Sequence, residues 1–381
     1  MNWPKVIHNS RLHRVFPVRR GRNPHPPPAC PILNRMRGEK SALIPKSATG
    51  ELDLIDRIRR RAARSGSSRI RLGIGDDCGL LRFKTGEEAV ITTDLSIENR
   101  HFRLDLHPPE AVGHRALARG LSDIAAMGSR PVAAFLSLGL PRELARTGTR
   151  RPAWIDRFLD GFLALAAKHR TPLAGGDLAE SSIVLADIVL VGVAPMGEAL
   201  LRSGARPGDL IYVTGNLGGS AAGLREIRER STGKGLSKSL LANVAPHLWP
   251  EPRIPQGLWL RRHGVAAAAI DISDGLSTDI EHLCVESGVS AEIDVPALPL
   301  FPGATMEDAL HGGEDYELLF TARPSARVPR HIAGVPVTRI GKIMKSRKGH
   351  PRVALVDAAG HHALQPHGWE HFRDSRERVS Y

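Results

Sequence analysis

The sequence predicts an α+β fold in two blocks, and three observations point to it. First, 381 residues is length enough for two ordinary domains, each with its own core. Second, runs with strand character alternate with runs of helical apolar spacing along most of the chain. Third, the pattern breaks near Pro195–Arg202, where a long apolar strand gives way to the turn-rich "RSGARPGD".

The elements follow in order. In "ELDLIDRIRRRAA", Leu54, Ile55, Ile58 and Ala62 recur at helical spacing. Strand-like "IRLGIG" and "EEAVITTDLSI" come next, each ending in carboxylates. Residues 108–127, "PPEAVGHRALARGLSDIAAM", read as a helix opened by proline and closed by Gly128. "VAAFLSLGL" is a strand, "WIDRFLDGFLALAAKH" a helix and "SSIVLADIVLVGVAP" a long buried strand. The second block opens with a Pro207-Gly208-Asp209 turn before a strand. It continues with "VAAAAIDISDGLSTDIEHLCVESG" as strand, loop and helix, stopped at Gly288. "YELLFTA", "VTRIGKI" and "RVALVD" are later strands. The expected organisation is a leader over 1–50, domains over 51–195 and 196–372, and a tail over 373–381.

A hydrophobic content of 41% with 24% charged residues is that of a soluble globular protein. The longest apolar stretch, residues 183–195, contains Asp187 and is too short to span a bilayer as a helix. The three cysteines, at 30, 78 and 284, form no CxxC pair, which points to a reducing, cytoplasmic setting. The net charge of +13 is concentrated: residues 1–50 carry ten Lys or Arg and one acid, Glu39, with eight of the 28 prolines. Such a leader buries too little apolar surface to offset its ordering entropy, so it reads as disordered or as upstream of the true start. A nucleic-acid arm is the other reading, but no interleaved aromatics support base stacking.

The chemistry-bearing residues are carboxylates at element ends: Asp76 and Asp77, Asp94, Asp123, Asp177, Asp271, Asp274, and Glu314 with Asp315. Acids converging on one cleft repel unless a cation joins them, and oxygen-only ligands favour Mg²⁺. Asp123 lies on a helix stripe of small apolar residues, with Gly120 and Met127 beside it. Metal binding and pairing with backbone amides or Arg119 both answer its burial cost. "AGGDL" and "HGGED" put two glycines before an acid, allowing close approach of a ligand. "VTGNLGGSAAGL" reads as strand, loop and helix, with amides placed for an anion or simply for close packing. GxxxxGK[ST], GxSxG and HExxH are all missing, which excludes a Walker-type phosphate loop.

Taken together, "GIGDDC", "TTDLSIENRHF", "LSDIAAMGSRP", "GGDLAES", "RSGARPGDLIYVTG", "AIDISDGLSTD", "GGEDYELLFT" and "GWEHF" resemble, in order, the thiamine-monophosphate kinase family of the aminoimidazole-ribonucleotide-synthetase-like superfamily. The likeness runs from about Glu51 to Phe372. It implies a two-domain fold whose N-terminal α/β domain carries a sheet that pairs across a homodimer, followed by a C-terminal α/β domain. It also implies ATP-dependent phosphorylation of thiamine monophosphate to thiamine diphosphate, the final step in making that cofactor, with no nucleic-acid or membrane partner.

Carried onto this chain, the resemblance puts Mg²⁺ ligands at Asp77, Thr92, Thr93, Asp94, Asp123, Asp177, Asp271 and Asp274. Asp77, Asp123 and Asp274 are the expected catalytic centre. ATP contacts fall on Gly176, Asp177, Arg202 and Ser273, and acceptor contacts on His101, Glu314 and Trp369. An aromatic at 369 suits a cationic thiazolium, though C-terminal core packing accounts for it as well. Two departures stand out: Leu178-Ala179-Glu180 replaces the usual threonines and arginine, and Gly120 replaces a frequent Asn. Another ATP-using enzyme of the superfamily and a basic nucleic-acid-binding protein are the alternative readings.

Overall fold

The computed structural model describes residues 51–63, 67–75, 78–146, 152–230 and 238–368. Asp76, Asp77, Trp369, the leader 1–50 and the tail 373–381 lie outside the described residues. In chain order the first block holds α1 (Glu51–Ala62), the short pair β1 (Ile70–Leu72) and β2 (Leu80–Leu81), β3 (Glu87–Ile97), α2 (Pro109–Ala126), β4 (Arg130–Leu140), α3 (Arg142–Ala145), α4 (Trp154–Lys168), β5 (Leu173–Glu180) and β6 (Leu185–Pro195). Its main sheet has the order β3-β6-β4-β5, antiparallel except for the β4–β5 pair. Helix α2 packs on β3, β6 and β4 of it, and α4 packs on α2.

The second block holds β7 (Leu210–Thr214), α5 (Gly219–Arg230), α6 (Lys238–Leu248), α7 (Ile254–Arg262), β8 (Ala268–Ile272), α8 (Leu276–Ser287), β9 (Val289–Asp294) and α9 (Met306–His311). It ends with β10 (Glu317–Ala322), β11 (His331–Ile332), β12 (Val335–Lys345), β13 (Val353–Asp357) and β14 (Gly360–Ala363). Its sheet runs β14-β13-β9-β12-β7-β10-β8, with β11 added to β12. Helix α8 ends as expected at Gly288, whose φ of 67° is the left-handed stop that glycine adopts without a Cβ penalty.

Helix α2 is the joint between the blocks. Pro109 opens it, where the missing N–H costs nothing, and alanine is the commonest residue among its buried positions. It packs on β3, β6 and α4 on one side and on α7, β8 and β10 of the second block on the other. Two glycines set its distance from α4. A Cβ on Gly113 would stand 1.9 Å from the Phe158 carbonyl oxygen, and one on Gly161 would stand 1.8 Å from that of Glu110. One apolar cluster therefore runs through both blocks, from Leu117 and Phe162 to Leu260 and Phe320.

"AGGDL" lies inside β5, paired with β4, with the Phe135 side chain and the Leu136 backbone filling the space over Gly175 and Gly176. One expectation changes here. "IRLGIG" forms a strand only over its first three residues.

Candidate active site

The ends of β3, α2, β8 and the 311–316 segment meet around a cleft of about 730 Å³. Asp94, Asp123, Asp271 and Asp274 line it, together with His101 and Glu314. Asp94 comes from β3, Asp123 from the last turns of α2, and Asp271 from β8; Asp274 follows in the loop after β8. The first block thus supplies two of the acids and the second block the other two.

Thr92 Oγ1 donates to Asp123 Oδ2 in a very short contact, and Ser122 Oγ donates to Asp271 Oδ2 at 2.7 Å. Asp123 is therefore satisfied by a hydroxyl from β3, not by backbone amides. Burial pushes the Asp94 carboxyl up to about 7, with the Asp123 charge adding to it and Arg119 opposing. Burial also pushes Asp271 up to about 7, with Asp123 again contributing. Asp123 is raised by burial against the pull of Thr92, Arg202 and Arg119. Arg202, exposed at the start of the second block, eases the charge on both Asp123 and Asp271 but is not among the residues that line the cleft.

These carboxyls are uncomfortable by themselves, and that is the test of a metal reading. Asp94 Oδ2 is buried and has no hydrogen-bond partner among the described residues. Among those residues no three Asp, Glu, His or Cys side chains are closed tightly enough around one point to hold an ion unaided. Four facing carboxylates with an orphaned oxygen and hard-oxygen neighbours fit a divalent cation that arrives with phosphate oxygens supplying part of its shell. Thr93 also lines the cleft, and Ser273 lies between the two acids of the β8 loop.

The acceptor-side residues are set by a buried polar network. His101 Nδ1 accepts from the Ile97 backbone N–H at 3.0 Å, which leaves the neutral ring's proton on Nε2. Glu314 has a positive φ of 66°, and so does Tyr316 at 51°, a local strain that turns Glu314 into the cleft. Arg115 Nη2 donates to Glu314 Oε2 at 2.6 Å and to the His101 carbonyl at 3.0 Å, while Nη1 reaches the His247 carbonyl. Burial alone would raise Glu314, but Arg115 and Arg119 hold it below the ordinary carboxylate range.

Some sequence-predicted residues fall elsewhere. Gly176 and Asp177 line a second cavity of about 710 Å³, walled by Ile58, Phe135 and Leu138, and are not among the residues of the main cleft. Asp177 accepts from the following amide, of Leu178, at 2.9 Å. Glu180 pairs with Arg142 at 2.9 Å on the surface. Gly120 lies against Leu190, where a Cβ would come within 2.9 Å of a side-chain carbon, so the position often held by Asn has little room here. Asp315 does not face the cleft: it accepts from the Gly218 and Ser220 amides at 2.6 and 3.0 Å. The helix start in "VTGNLGGSAAGL" thus holds an anion from its own chain.

Other residues escaped the sequence reading. Asp279 accepts from the Ser273 and Asp274 amides at 3.0 and 3.1 Å and so shapes the loop that presents Asp274. Arg115 and the His107–His247 pair carry no motif signal, and Arg119 reads only as a partner for Asp123; on an alanine-rich helix an arginine reads as surface charge. Gly368 packs against the Asp274 backbone, and its amide donates to Thr278 Oγ1 at 3.2 Å, one residue before the undescribed Trp369.

The AIR synthase related protein N-terminal domain matches residues 75–198, and the corresponding C-terminal domain matches residues 206–354. Thiamine-monophosphate kinase of Salmonella typhimurium is 39% identical over 316 residues, covering 79% of this chain and 93% of that protein. The chain belongs to the thiamine-monophosphate kinase family. Among solved structures, the thiamine-monophosphate kinase of Stenotrophomonas maltophilia is 36% identical with a TM-score of 0.68, covering 79% of this chain and 95% of its own. AaThiL complexed with AMPPCP and TMP is 32% identical with a TM-score of 0.65, covering 85% and 97%. The two-domain α+β architecture is that of the family.

Proposed function

We propose that this protein transfers the γ-phosphoryl group of ATP to the phosphate of thiamine monophosphate, giving thiamine diphosphate and ADP as the last step of that cofactor's synthesis. The observation that carries the reading is the cleft itself: four aspartates from both blocks stand in one pocket with His101 and Glu314. A relative of the same fold is described in complex with an ATP analogue and TMP. Incubation with ATP, Mg²⁺ and thiamine monophosphate, followed by separation of the products, tests it.

Asp94, Asp123, Asp271 and Asp274 would hold Mg²⁺, with Thr92, Thr93 and Asp77 as further ligands; Asp177, which opens on the second cavity, does not share that cleft. Bound there, magnesium supplies charge neutralisation for two phosphate groups and alignment for in-line displacement. The chain's own residues do the rest. Gly176 and Asp177 open on an apolar cavity suited to the nucleoside, and Ser273, in the cleft, and the exposed Arg202 would meet the phosphates. His101 and Glu314, fixed by Arg115, orient the acceptor, with Trp369 as the expected aromatic partner for its ring. A phosphate monoester has a second pKa of about 6, so its attacking oxygen is ionised at neutral pH and no protein base has to remove a proton. The missing nucleophile and base motifs agree with that chemistry.

The protein works as a homodimer in this reading. Edge strand β3 exposes Ile91 and Leu95, 64% and 46% accessible, on one face. An apolar edge of this kind calls for a cover. Light scattering giving a monomer mass would refute the dimer. No helix among the described residues is long and apolar enough to cross a membrane, and Cys78 and Cys284 are free thiols. A cytoplasmic enzyme is the location we infer.

A further inference from the structure

Two arginines one helical turn apart on α2 face the same carboxylate, and they are held very differently. Arg115 is fully engaged: its guanidinium bonds Glu314, the His101 carbonyl and the His247 carbonyl, and its side chain is 6% exposed. Arg119 lies nearer the mouth. Its Nη1 stands 3.7 Å from Glu314 Oε1, and its Nε stands 3.7 Å from Asp94 Oδ1. Both separations exceed a hydrogen bond. The side chain is 19% exposed and lines the main cleft.

Arg119 therefore sits between the acids of the first block and the acceptor-side Glu314, drawn towards each without bonding closely to either. A guanidinium offers five N–H donors in a planar fork, a shape that matches a tetrahedral phosphate better than an ammonium does. Neighbouring carboxylates keep it charged and restrain its position, which limits the ordering cost of binding. Its place on α2, four residues before Asp123, puts that fork beside the aspartates, where an acceptor phosphate would lie to meet a nucleotide phosphate brought to them on a divalent cation.

We propose that Arg119 is a catalytic residue whose guanidinium binds the phosphate of the acceptor and makes the site select a phosphorylated acceptor over the same molecule without phosphate. The inference rests on the phosphotransferase reading above. In the step it serves, an acceptor phosphate oxygen forms a bond to the γ-phosphorus as the bridging β–γ P–O bond breaks. That bond's electron pair leaves on ADP. Arg119 neither gives nor takes a proton; it reduces the repulsion between two anions.

The test uses the full chain and its variants Arg119→Gln and Arg119→Lys. Binding of thiamine monophosphate and of thiamine is measured by calorimetry with Mg²⁺ and a non-hydrolysable ATP analogue present, alongside steady-state kinetics. Loss of a charge-assisted hydrogen bond predicts that Arg119→Gln weakens thiamine monophosphate binding by at least about tenfold. Thiamine binding and the KM for ATP stay within about twofold, kcat falls, and Arg119→Lys recovers part of the loss. Equal weakening towards both ligands, or wild-type affinity and kcat in Arg119→Gln, would overturn the inference. If Arg119→Gln does not fold, Arg119→Lys decides by the same comparison, because a point charge replaces the fork. A wild-type chain that makes no thiamine diphosphate overturns the reading beneath the inference, a result distinct from any difference between variants.

Discussion

His107 Nε2 lies 2.9 Å from His247 Nε2, joining the turn before α2 to the end of α6 through two imidazoles that are almost wholly buried. One ring must donate and the other accept, so at least one of these nitrogens carries no proton. Ser220 Oγ stands 3.0 Å from His247 Nδ1 and Arg115 crosses behind, so a proton added here meets a positive neighbour.

Burial, helped by the Arg115 charge, pushes the His107 imidazole down to about 4, below its unfolded value near 6.5. The folded protein then binds fewer protons than the unfolded chain between those values. The His107 contribution is complete above pH 6.5 and is lost as pH falls through that window, on the order of 3 kcal/mol in all. Urea unfolding at several pH values checks it: His107→Gln flattens the slope between pH 6.5 and 4. An unchanged slope would contradict the neutral pair.

Arg115→Ala leaves the Glu314 carboxylate and two carbonyls without their shared donor. Breaking a buried ion pair in this way costs about 3–5 kcal/mol, and the loss should appear in chemical unfolding. Arg115→Lys keeps the charge but cannot reach all three acceptors, so it falls between. A cost below about 1 kcal/mol would mean that the two blocks are held together elsewhere.

The aspartate cluster predicts opposite effects with and without metal. Asp94 and Asp271, raised to about 7 from an unfolded value near 4, favour the folded state only while protonated, so the metal-free chain loses stability as pH rises from about 4 to about 7 and stays at the lower level above that. Asp123→Asn removes one of the repelling charges and should raise the metal-free unfolding temperature at pH 8. With Mg²⁺ the order reverses: wild type gains stability, the variant gains little, and turnover falls by more than about a hundredfold. Thermal unfolding with and without Mg²⁺ reads both halves. Equal stabilisation of the two proteins by Mg²⁺ would remove Asp123 from the ligand set.

Much of this architecture could be read from local pattern. Asp94 and Asp271 stand near the ends of strand-like runs, with Asp274 just beyond, and α2, α4 and α8 show their limits in proline, glycine and apolar spacing. What pattern could not reveal depends on distant partners. Glu314 and Asp315 are neighbours in sequence, yet a positive φ sends the first into the cleft while the second caps α5. Gly175 and Gly176 are poor strand formers, but Phe135 and Leu136 on the neighbouring strand need the room. Asp177 carries a motif and faces a different cavity from the other acids. Arg115 looks like a solvent charge until the second block closes over it.

The central claim is direct phosphoryl transfer to a phosphate acceptor, and label transfer tests it most directly. The protein is incubated with γ-³²P ATP, Mg²⁺ and thiamine monophosphate, and the products are separated. The expected result is label in the terminal phosphate of thiamine diphosphate, one for each ADP formed. Label appearing only as inorganic phosphate, or ATP consumed with no thiamine diphosphate made, would contradict it.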